Sequence, residues 1–485
     1  VKQTARAYDV SFGHPKTLLC RYSKRFMVKY HSFLLMGTAL LLGACKQAPQ
    51  AEPLPELAPP AKWQAPNSLN ESPAFNWLED LGDPLLAGLV AEALTNNADL
   101  RTTAARVDQA LAEAGLSRAA RMPLAGVGLQ AQRQRTGPLY GYDYLNNYQL
   151  GLNLSWELDL WGRLANQTKA ARALAEASAA DYEAARLSLA AQVCKAWFNL
   201  KEAQAQLQLS RKTNRSYQQQ LQTLEDRYNR GIGNSLELRQ LRTEAATAGA
   251  DLELRRRATR EASRTLELLL GRYPAAELKS NHEFPALAKP VPAGIPAELL
   301  ERRPDLRAAK ARVQAAEKTV RAKRRAWLPA LSLTASTGTA SREFEDLMDS
   351  SFRVGSILGN LTQPIFQGGR IKADVQRAQS QLLQAEANYH NTALRAFLEV
   401  ENALSAEHFL KKESEKLTLA SSEAQAAERL ARERYEKGTL EFINVLITQR
   451  SAAQTQSRQI NIQNQRLQNR IDCLLSLGGN FEPSL

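Results

Sequence analysis

Between Gly162 and Gly231 the chain contains neither glycine nor proline, and the same holds between Gly369 and Gly438. If helical throughout, each of these breaker-free runs would extend about 100 Å, several times the length of a usual globular helix. Alanine is frequent in the first run, at Ala170, Ala171, Ala173, Ala175, Ala177, Ala179 and Ala180, which lets helices approach closely. The chain as a whole is 7% aromatic and 44% hydrophobic and rich in Ala, Leu, Gln, Arg and Glu, as suits long helices.

The two runs belong to an internal repeat. Asp99-Leu100-Arg101 recurs as Asp305-Leu306-Arg307 and Pro123 as Pro329, at an offset of 206. Gly162-Arg163 recurs as Gly369-Arg370, Arg227-Tyr228 as Arg434-Tyr435, and Leu270-Gly271 as Leu477-Gly478, at 207. One inserted residue therefore keeps the whole unit in register. Each unit is expected to run as a helical segment ending at a proline (84–121 and 296–327), two strands, a very long helix, a glycine break and another long helix. The expected division is 1–44 extension and signal, 45–83 tether, 84–271 first repeat, 272–295 linker, 296–478 second repeat and 479–485 tail.

The strands show the clearest alternation. Ala125, Val127, Leu129 and Ala131 alternate with Gly126, Gly128, Gln130 and Gln132. Tyr148, Leu150, Leu152, Leu154, Trp156 and Leu158 alternate with polar residues or glycine, as do Leu331, Leu333 and Ala335. A fourth strand near 352–366 is less regular. One apolar face and one Gly/Gln/Ser/Asn face suit a membrane barrel wall; a half-buried sheet of a soluble domain gives the same pattern. Four strands cannot close on themselves, and lipid does not tolerate an open edge, so a barrel requires several copies of the chain. Two would reach the eight-strand minimum and three would leave room for a channel; the sequence does not choose.

From Met27 a basic start, an apolar stretch over 33–42 and Leu42-Gly43-Ala44-Cys45 have the parts of a secretory signal. The apolar stretch is too short to span a bilayer. Leu-Gly-Ala-Cys resembles a lipobox, with Cys45 as the acylated mature N-terminus; the alternative is an ordinary signal with a chance cysteine. Lys46 follows in place of the inner-membrane-retaining Asp, so the outer membrane is expected. Residues 1–26 read as an upstream extension, and 47–66, rich in Pro, Ala and Glu, as an extended tether.

The formal charge is +13, of which residues 1–44 carry +6. The remaining charges of both signs are interleaved along the helices, unlike the basic face of a nucleic-acid binder, so no nucleic-acid partner is expected. Cys20, Cys45, Cys194 and Cys473 form no CxxC pair and no cluster with the five histidines, so no metal or redox centre is expected. Cys194 and Cys473 read as buried thiols. No GxSxG, HExxH or phosphate-cradling loop appears, so the chain is not read as an enzyme.

These residues together resemble the TolC-like outer-membrane efflux factors, in particular the lipoprotein branch serving multidrug pumps. The most specific matches are WELDLWGR at 156–163, its counterpart QPIFQGGR at 363–370, and RPDLR at 303–307. The resemblance spans nearly all of 70–480. It implies a mainly α chain with a membrane β-barrel: a homotrimer forming a twelve-stranded barrel continued by a twelve-helix α-barrel in the periplasm. It implies a periplasmic adaptor and an inner-membrane pump, expected to be proton-driven, and a passive, gated conduit for small molecules. No cofactor is implied beyond the lipid on Cys45. A conduit of the same fold for type I protein secretion, or a periplasmic coiled-coil lipoprotein without a pore, are the alternatives.

By the same resemblance the two helix breaks form the adaptor-contacting tip, with Arg227, Tyr228, Gly231 and Ser235 in one turn and Arg434, Tyr435, Gly438 and Leu440 in the other. Relatives place an Asp ring at the closed end, in a segment like FLDVLDAQR. Here Phe442–Arg450 reads FINVLITQR, with Ile447 at the Asp position and Ile443 one turn earlier. The readings left open are a hydrophobic gate made by Ile443 and Ile447, and packing of both between helices. The tyrosines of 137–144 are expected at the outer membrane's polar interface, or as a cap on the exit.

Overall fold

A computed structural model describes residues 60–65, 78, 81–135, 137, 144–281, 283–287, 294 and 296–479. The chain divides into units 1–56 and 57–485; the first, with the signal and Cys45, lies outside the described residues, as do Tyr140, Tyr142 and the tail from 480.

The described chain is mostly helical. In order it forms α1 (Leu85–Asn96), α2 (Ala98–Ala119), β1 (Leu124–Arg135), β2 (Tyr144–Leu158), α3 (Arg163–Asn229), α4 (Ser235–Leu269), α5 (Pro296–Arg302), α6 (Pro304–Arg325), β3 (Ala330–Ser341), β4 (Arg353–Thr362), α7 (Arg370–Glu436) and α8 (Phe442–Ser476). Tyr144 opens β2 rather than belonging to the loop. Helices α3 and α7 each run 67 residues, about 100 Å. Both start after a left-handed glycine, Gly162 at φ 72° and Gly369 at φ 83°.

The strands form one antiparallel sheet in the order β1-β2-β3-β4. Leu124 faces Ser155 in the first hairpin, and Ala330 faces Thr362 in the second. These pairs are related by the offsets of the sequence repeat, so the hairpins share one register. The β2–β3 pairing, with Leu152 opposite Thr337 and Leu154 opposite Ala335, joins the two repeats.

Two of the expected helices are each broken in two. The segment 84–121 breaks at Asn97 and the segment 296–327 at Arg303. The reason is tertiary: the C-terminus of α4 abuts the start of α2, and that of α8 abuts the start of α6. Asn97 Oδ1 caps α2 by accepting from Leu100 N, while its Nδ2 donates to Leu269 O at the end of α4. Arg303 performs the second junction, donating to Ser476 O, to Glu399 and in a fork to Asp305. RPDLR is thus a joint between stacked helices.

Around this level α1 and the 273–287 segment cover α3. Leu86, Val90 and Ala93 of α1 share a core with Ala190, Val193, Cys194, Trp197, Phe198, Leu467 and Ile471. Burial raises both thiol pKa values, that of Cys473 to about 12 and that of Cys194 further. Inside this region Lys201 Nζ lies 2.7 Å from Asp83 Oδ2, both side chains being about 95% buried. It also donates to Asn281 Oδ1 and Glu283 O. Trp63 inserts beside Phe397 and Val400, and Glu401 accepts from the amides of Gln64 and Ala65.

Burial pushes the Asp83 carboxyl up, but hydrogen bonds from Lys201, Trp197 and Leu85 N outweigh it and hold its pKa below the ordinary value. That stability is present above the unfolded pKa of about 4 and is lost as pH falls through the folded value. Lys201→Met leaves a buried carboxylate unpaired and is expected to cost about 3–5 kcal/mol near neutral pH. The deficit should shrink on acidification, as Asp83 becomes neutral. Denaturant melts of both proteins between pH 3 and 7 check this, and a pH-independent deficit contradicts it.

Candidate functional site

The first candidate surface is the sheet. Pairing places Val127, Leu152, Ala335 and Ile357, with Leu129, Leu154, Leu333 and Leu361, on one face. Gly128, Gly151, Asn153, Ser336 and Ser356 lie on the other. Much of the apolar face is exposed, with Val127 at 76% and Ile357 at 81%, while Phe344 and Leu347 cover its outer end at Tyr148 and Thr339. The outer edges of β1 and β4 have no strand partner among the described residues. On the polar face the backbones of β2 and β3 approach closely, since a Cβ on Gly338 would lie 2.1 Å from Leu150 O.

WELDLWGR builds the corner between sheet and helix. Asp159 accepts from Leu164 N (3.0 Å) and Ala165 N (2.6 Å), capping α3 from outside the helix. Glu157 pairs with Arg163 at 2.7 Å, Trp156 donates to Arg121 O and Trp161 to Pro329 O. Arg325 of the second repeat donates to Gly162 O and fills the space a side chain there would need. The corresponding corner at QPIFQGGR has no such cover, and Ile365 and Phe366 are nearly fully exposed.

At the far end of the long helices both turns use one hydrogen-bond scheme. Gly231 N donates to Tyr228 O and Ile232 N to Arg227 O; Gly438 N donates to Tyr435 O and Thr439 N to Arg434 O. These are Schellman closures around glycines at φ 80° and 73°. Ser235 opens α4 behind the Asn234 cap, which accepts from Leu236 N. Leu440 packs at the margin of a tip core of Tyr217, Leu224, Leu238, Leu241, Phe442, Val445 and Leu446. The turns meet where Arg227 Nη1 lies 3.4 Å from the Tyr435 hydroxyl, whose ring rests on Phe442. Burial and Glu237 raise the Tyr435 pKa against the opposing pull of Arg227, so the phenol stays neutral.

Phe442, Val445 and Leu446 turn into this core, whereas Ile443 and Ile447 are 38% and 48% exposed. Counted along α8, the isoleucines lie on a different side from Leu467, Ile471 and Leu474, which are buried in the core shared with α3. The exposed stripe continues through Gln454, Arg458, Asn461 and Gln465 without a carboxylate.

Sequence reading missed the seam between repeats. Helices α3 and α8 meet through amides and hydroxyls: Gln449 with Ser216 and Gln220, Ser457 with Gln206, Asn464 with Asn199 and Glu202. Only the abundance of Gln and Asn in 449–469 hinted at it. No group of residues that could hold a metal occurs among the described residues, and no described helix is long and apolar enough to cross a membrane.

The family model described as "Outer membrane efflux protein" matches residues 89–272 and 295–479. The chain is 34% identical over 454 residues to the outer membrane protein OprJ of Pseudomonas aeruginosa, covering 92% of this chain and 95% of that one. It is 29% identical to the probable outer membrane lipoprotein SilC of Salmonella typhimurium, covering 92% and 98%. Among solved structures it resembles a Pseudomonas aeruginosa membrane protein with a TM-score of 0.80 and 33% identity, covering 87% and 99%.

The two glycines of the first turn make distinct predictions. At Gly231 a Cβ meets nothing within 4 Å, so Gly231→Ala carries only the left-handed backbone cost of about 1–2 kcal/mol. At Gly233 a Cβ would lie 2.7 Å from the Tyr228 backbone, so the turn must shift. Gly231→Ala should speed amide exchange at 227–235 about tenfold, and Gly233→Ala more, with 434–440 little changed. Unaltered exchange in both variants would contradict this account of the turn.

Proposed function

Since the chain belongs to the outer membrane efflux protein family, we propose that three copies close into a twelve-stranded barrel, continued by a twelve-helix tunnel into the periplasm. The protein is the outer-membrane channel of a tripartite efflux system, and family membership makes it a conduit.

The observation that carries the trimer is half of a repeated interface. Within the chain the first repeat meets the second through β2–β3, α3–α6 and α3–α8. The equivalent surfaces on the other flanks, β4 with β1, α7 with α2 and α7 with α4, have no comparable partner. Another copy supplies it by the same geometry. The β2–β3 register, carried over by the repeat offsets, sets Leu361 opposite Leu129 of the neighbouring copy and keeps the apolar faces continuous. Every edge N–H and C=O is then paired, as lipid demands. Three copies suit this sheet better than two: an eight-stranded interior is filled by side chains, but Gly126, Gly128, Gly151 and Gly338 leave little to fill it.

In this reading Cys45 carries the lipid anchor. The turns around Arg227, Tyr228, Gly231 and Ser235, and around Arg434, Tyr435, Gly438 and Leu440, meet the adaptor, behind which stands a proton-driven pump. Ile443 and Ile447 point into the tunnel, on the exposed stripe of α8 that faces away from its buried core. They close the tunnel by expelling water. The cargo is small molecules, and the chain itself performs no chemistry.

The repeat places Leu254 of one copy beside Phe409 of the next, as Asn461 lies beside Glu202 within the chain. Both are exposed in the single chain. Leu254→Cys combined with Phe409→Cys should yield a disulfide-linked species of three chains on a non-reducing gel. A ladder ending at two chains would overturn the trimer. Separately, Ile447→Asp should introduce block by divalent cations in planar-bilayer recordings while assembly is preserved; unchanged block removes Ile447 from the gate.

A further inference from the structure

Positive charge on the four strands is confined to one end of one face. Arg133 and Arg135 end β1 and Arg353 opens β4. The only carboxylate on the strands is Glu157, at the opposite end, where it pairs with Arg163 at 2.7 Å. The three arginines lie on the apolar face, in register with Asn146, Tyr144 and Thr339. The guanidinium carbon of Arg133 stands 4.5 Å from the Tyr144 ring centre and that of Arg135 5.9 Å, so one ring orients both. Arg353 forms no ion pair among the described residues, and Asp349, four residues before it, accepts instead from Ser351 N at 2.8 Å. Arg353 also lines a groove of about 380 Å³ on the same face, with Leu150, Leu152 and Thr339 from the strands and Leu347 and Met348 from the 342–352 turn.

The repeat supplies an internal control. The seam between β2 and β3 has Asn146 where β4 has Arg353, and Thr339 and Ser341 where β1 has Arg133 and Arg135. Strands of this fold therefore pair without these charges. In the closed barrel, the register that sets Leu361 opposite Leu129 of the neighbouring copy also sets Ile357 opposite its Arg133 and Gly355 opposite its Arg135. Arg353 becomes the diagonal neighbour of that Arg135, about 7 Å away, and Gly355 has no side chain to fill the space beside them. Cations from opposite edges of one chain thus form a cluster of three at each seam between copies. Such guanidiniums repel one another, and an anion shared among them offsets the repulsion.

The height of the cluster selects the anion. With strands rising about 3.3 Å per residue and tilted about 40°, the arginines stand about 23–28 Å above the strand ends at Leu124 and Thr362. A barrel's apolar band is about 25 Å tall, so the cluster falls at the outer boundary of the hydrocarbon. A lipid-facing arginine is costly at the membrane midplane and tolerated at that boundary, which is where lipid phosphates lie. A zwitterionic headgroup brings its own cation and offsets nothing, so the matching lipid is net anionic. We propose that each seam binds a net-anionic, phosphate-bearing lipid of the outer leaflet. Its phosphate is held by Arg353 and by the neighbouring copy's Arg133 and Arg135 through charge-assisted hydrogen bonds, and an acyl chain lies in the groove beside Leu347 and Met348. This rests on the closed-barrel reading, since no single chain brings the three arginines together.

The test uses the full-length protein immobilised in a neutral detergent. The probes are bisphosphorylated lipid A, the same lipid stripped of its phosphates, and inorganic phosphate as competitor. Wild type should retain lipid A about tenfold more strongly than the stripped lipid, and excess inorganic phosphate should displace little of it. Arg135→Gln with Arg353→Gln should lower retention about tenfold; Arg135→Lys with Arg353→Lys, which keeps the charge, should lower it less. Lys416→Gln, on exposed α7 surface, should leave it unchanged. Equal retention by all variants, or no preference for the phosphorylated lipid, overturns the proposal. So does ready displacement by inorganic phosphate, which would make this a site for a soluble anion. The Leu254→Cys/Phe409→Cys gel, run in parallel, separates the two readings. Trimers that retain no lipid A overturn the lipid site and leave the barrel standing, whereas absence of trimers overturns both.

Discussion

The hydrogen bonds left open along the edges of the β1-β2-β3-β4 sheet govern the rest of the structure. Inside one chain every central ladder is complete, but the outer edges of β1 and β4 are not paired. In water such edges are tolerable; in hydrocarbon each unsatisfied amide or carbonyl costs several kcal/mol. The sheet also exposes large apolar side chains on one face, Val127, Leu129, Ile357 and Leu361 among them. Both problems have one solution, closure with further copies. It explains why two 67-residue helices are anchored to the sheet through fixed corners. In the proposed barrel the rim defines where each long helix starts, and Asp159, Trp161 and Arg325 hold the first corner in place.

Internal repetition turns that constraint into a building rule. Two similar units already meet once within the chain, so the proposed intermolecular contact is a second use of that interface. The corner at QPIFQGGR shows where the rule is incomplete. Position 119, equivalent to Arg325, is Ala119, and Gly368 replaces Trp161, so Ile365 and Phe366 are left without cover from their own chain. Those side chains sit at the level where the sheet gives way to helix. Differences between the repeats therefore mark what each unit does beyond folding. The paired isoleucines belong to the second unit only, where the first has Leu236 and Gln240.

Much of this was legible in the sequence. Absence of Gly and Pro over 163–230 and 370–437 gave the long helices to within a residue or two, because local propensity and tertiary role agree there. Alternation at Val127, Leu129, Leu150, Leu152 and Leu154 identified the strands and the apolar face, and the offsets of 206 and 207 reappear in the hairpin registers. The breaks at Asn97 and Arg303 went unread because they exist to meet other helices. Local signals were present, an Asn before Ala98-Asp99 and a Pro at the first position of α6, but the helical pattern runs through both. Arg325 against Gly162 and Gln449 against Ser216 join residues over 160 positions apart, which no local pattern announces.

If Ile443 and Ile447 form the gate, as proposed, one substitution changes the physics of the closed pore. A carboxylate ring at the tip would attract cations and hold them, closing the passage by occupancy and making closure depend on ions and pH. Isoleucine offers an ion nothing to replace its water, so the barrier is the desolvation of whatever enters. Such a barrier is steep for ions and shallow for amphipathic molecules with apolar surface of their own. Closure of this kind would stop leakage of salts without a bound counter-ion and would not depend on a titrating ring. Opening then requires separating side chains rather than releasing an ion. The Arg227–Tyr435 contact and the Tyr435–Phe442 stack lie between the turns and the start of α8, so a partner that shifts either turn acts directly on the helix that carries Ile443 and Ile447.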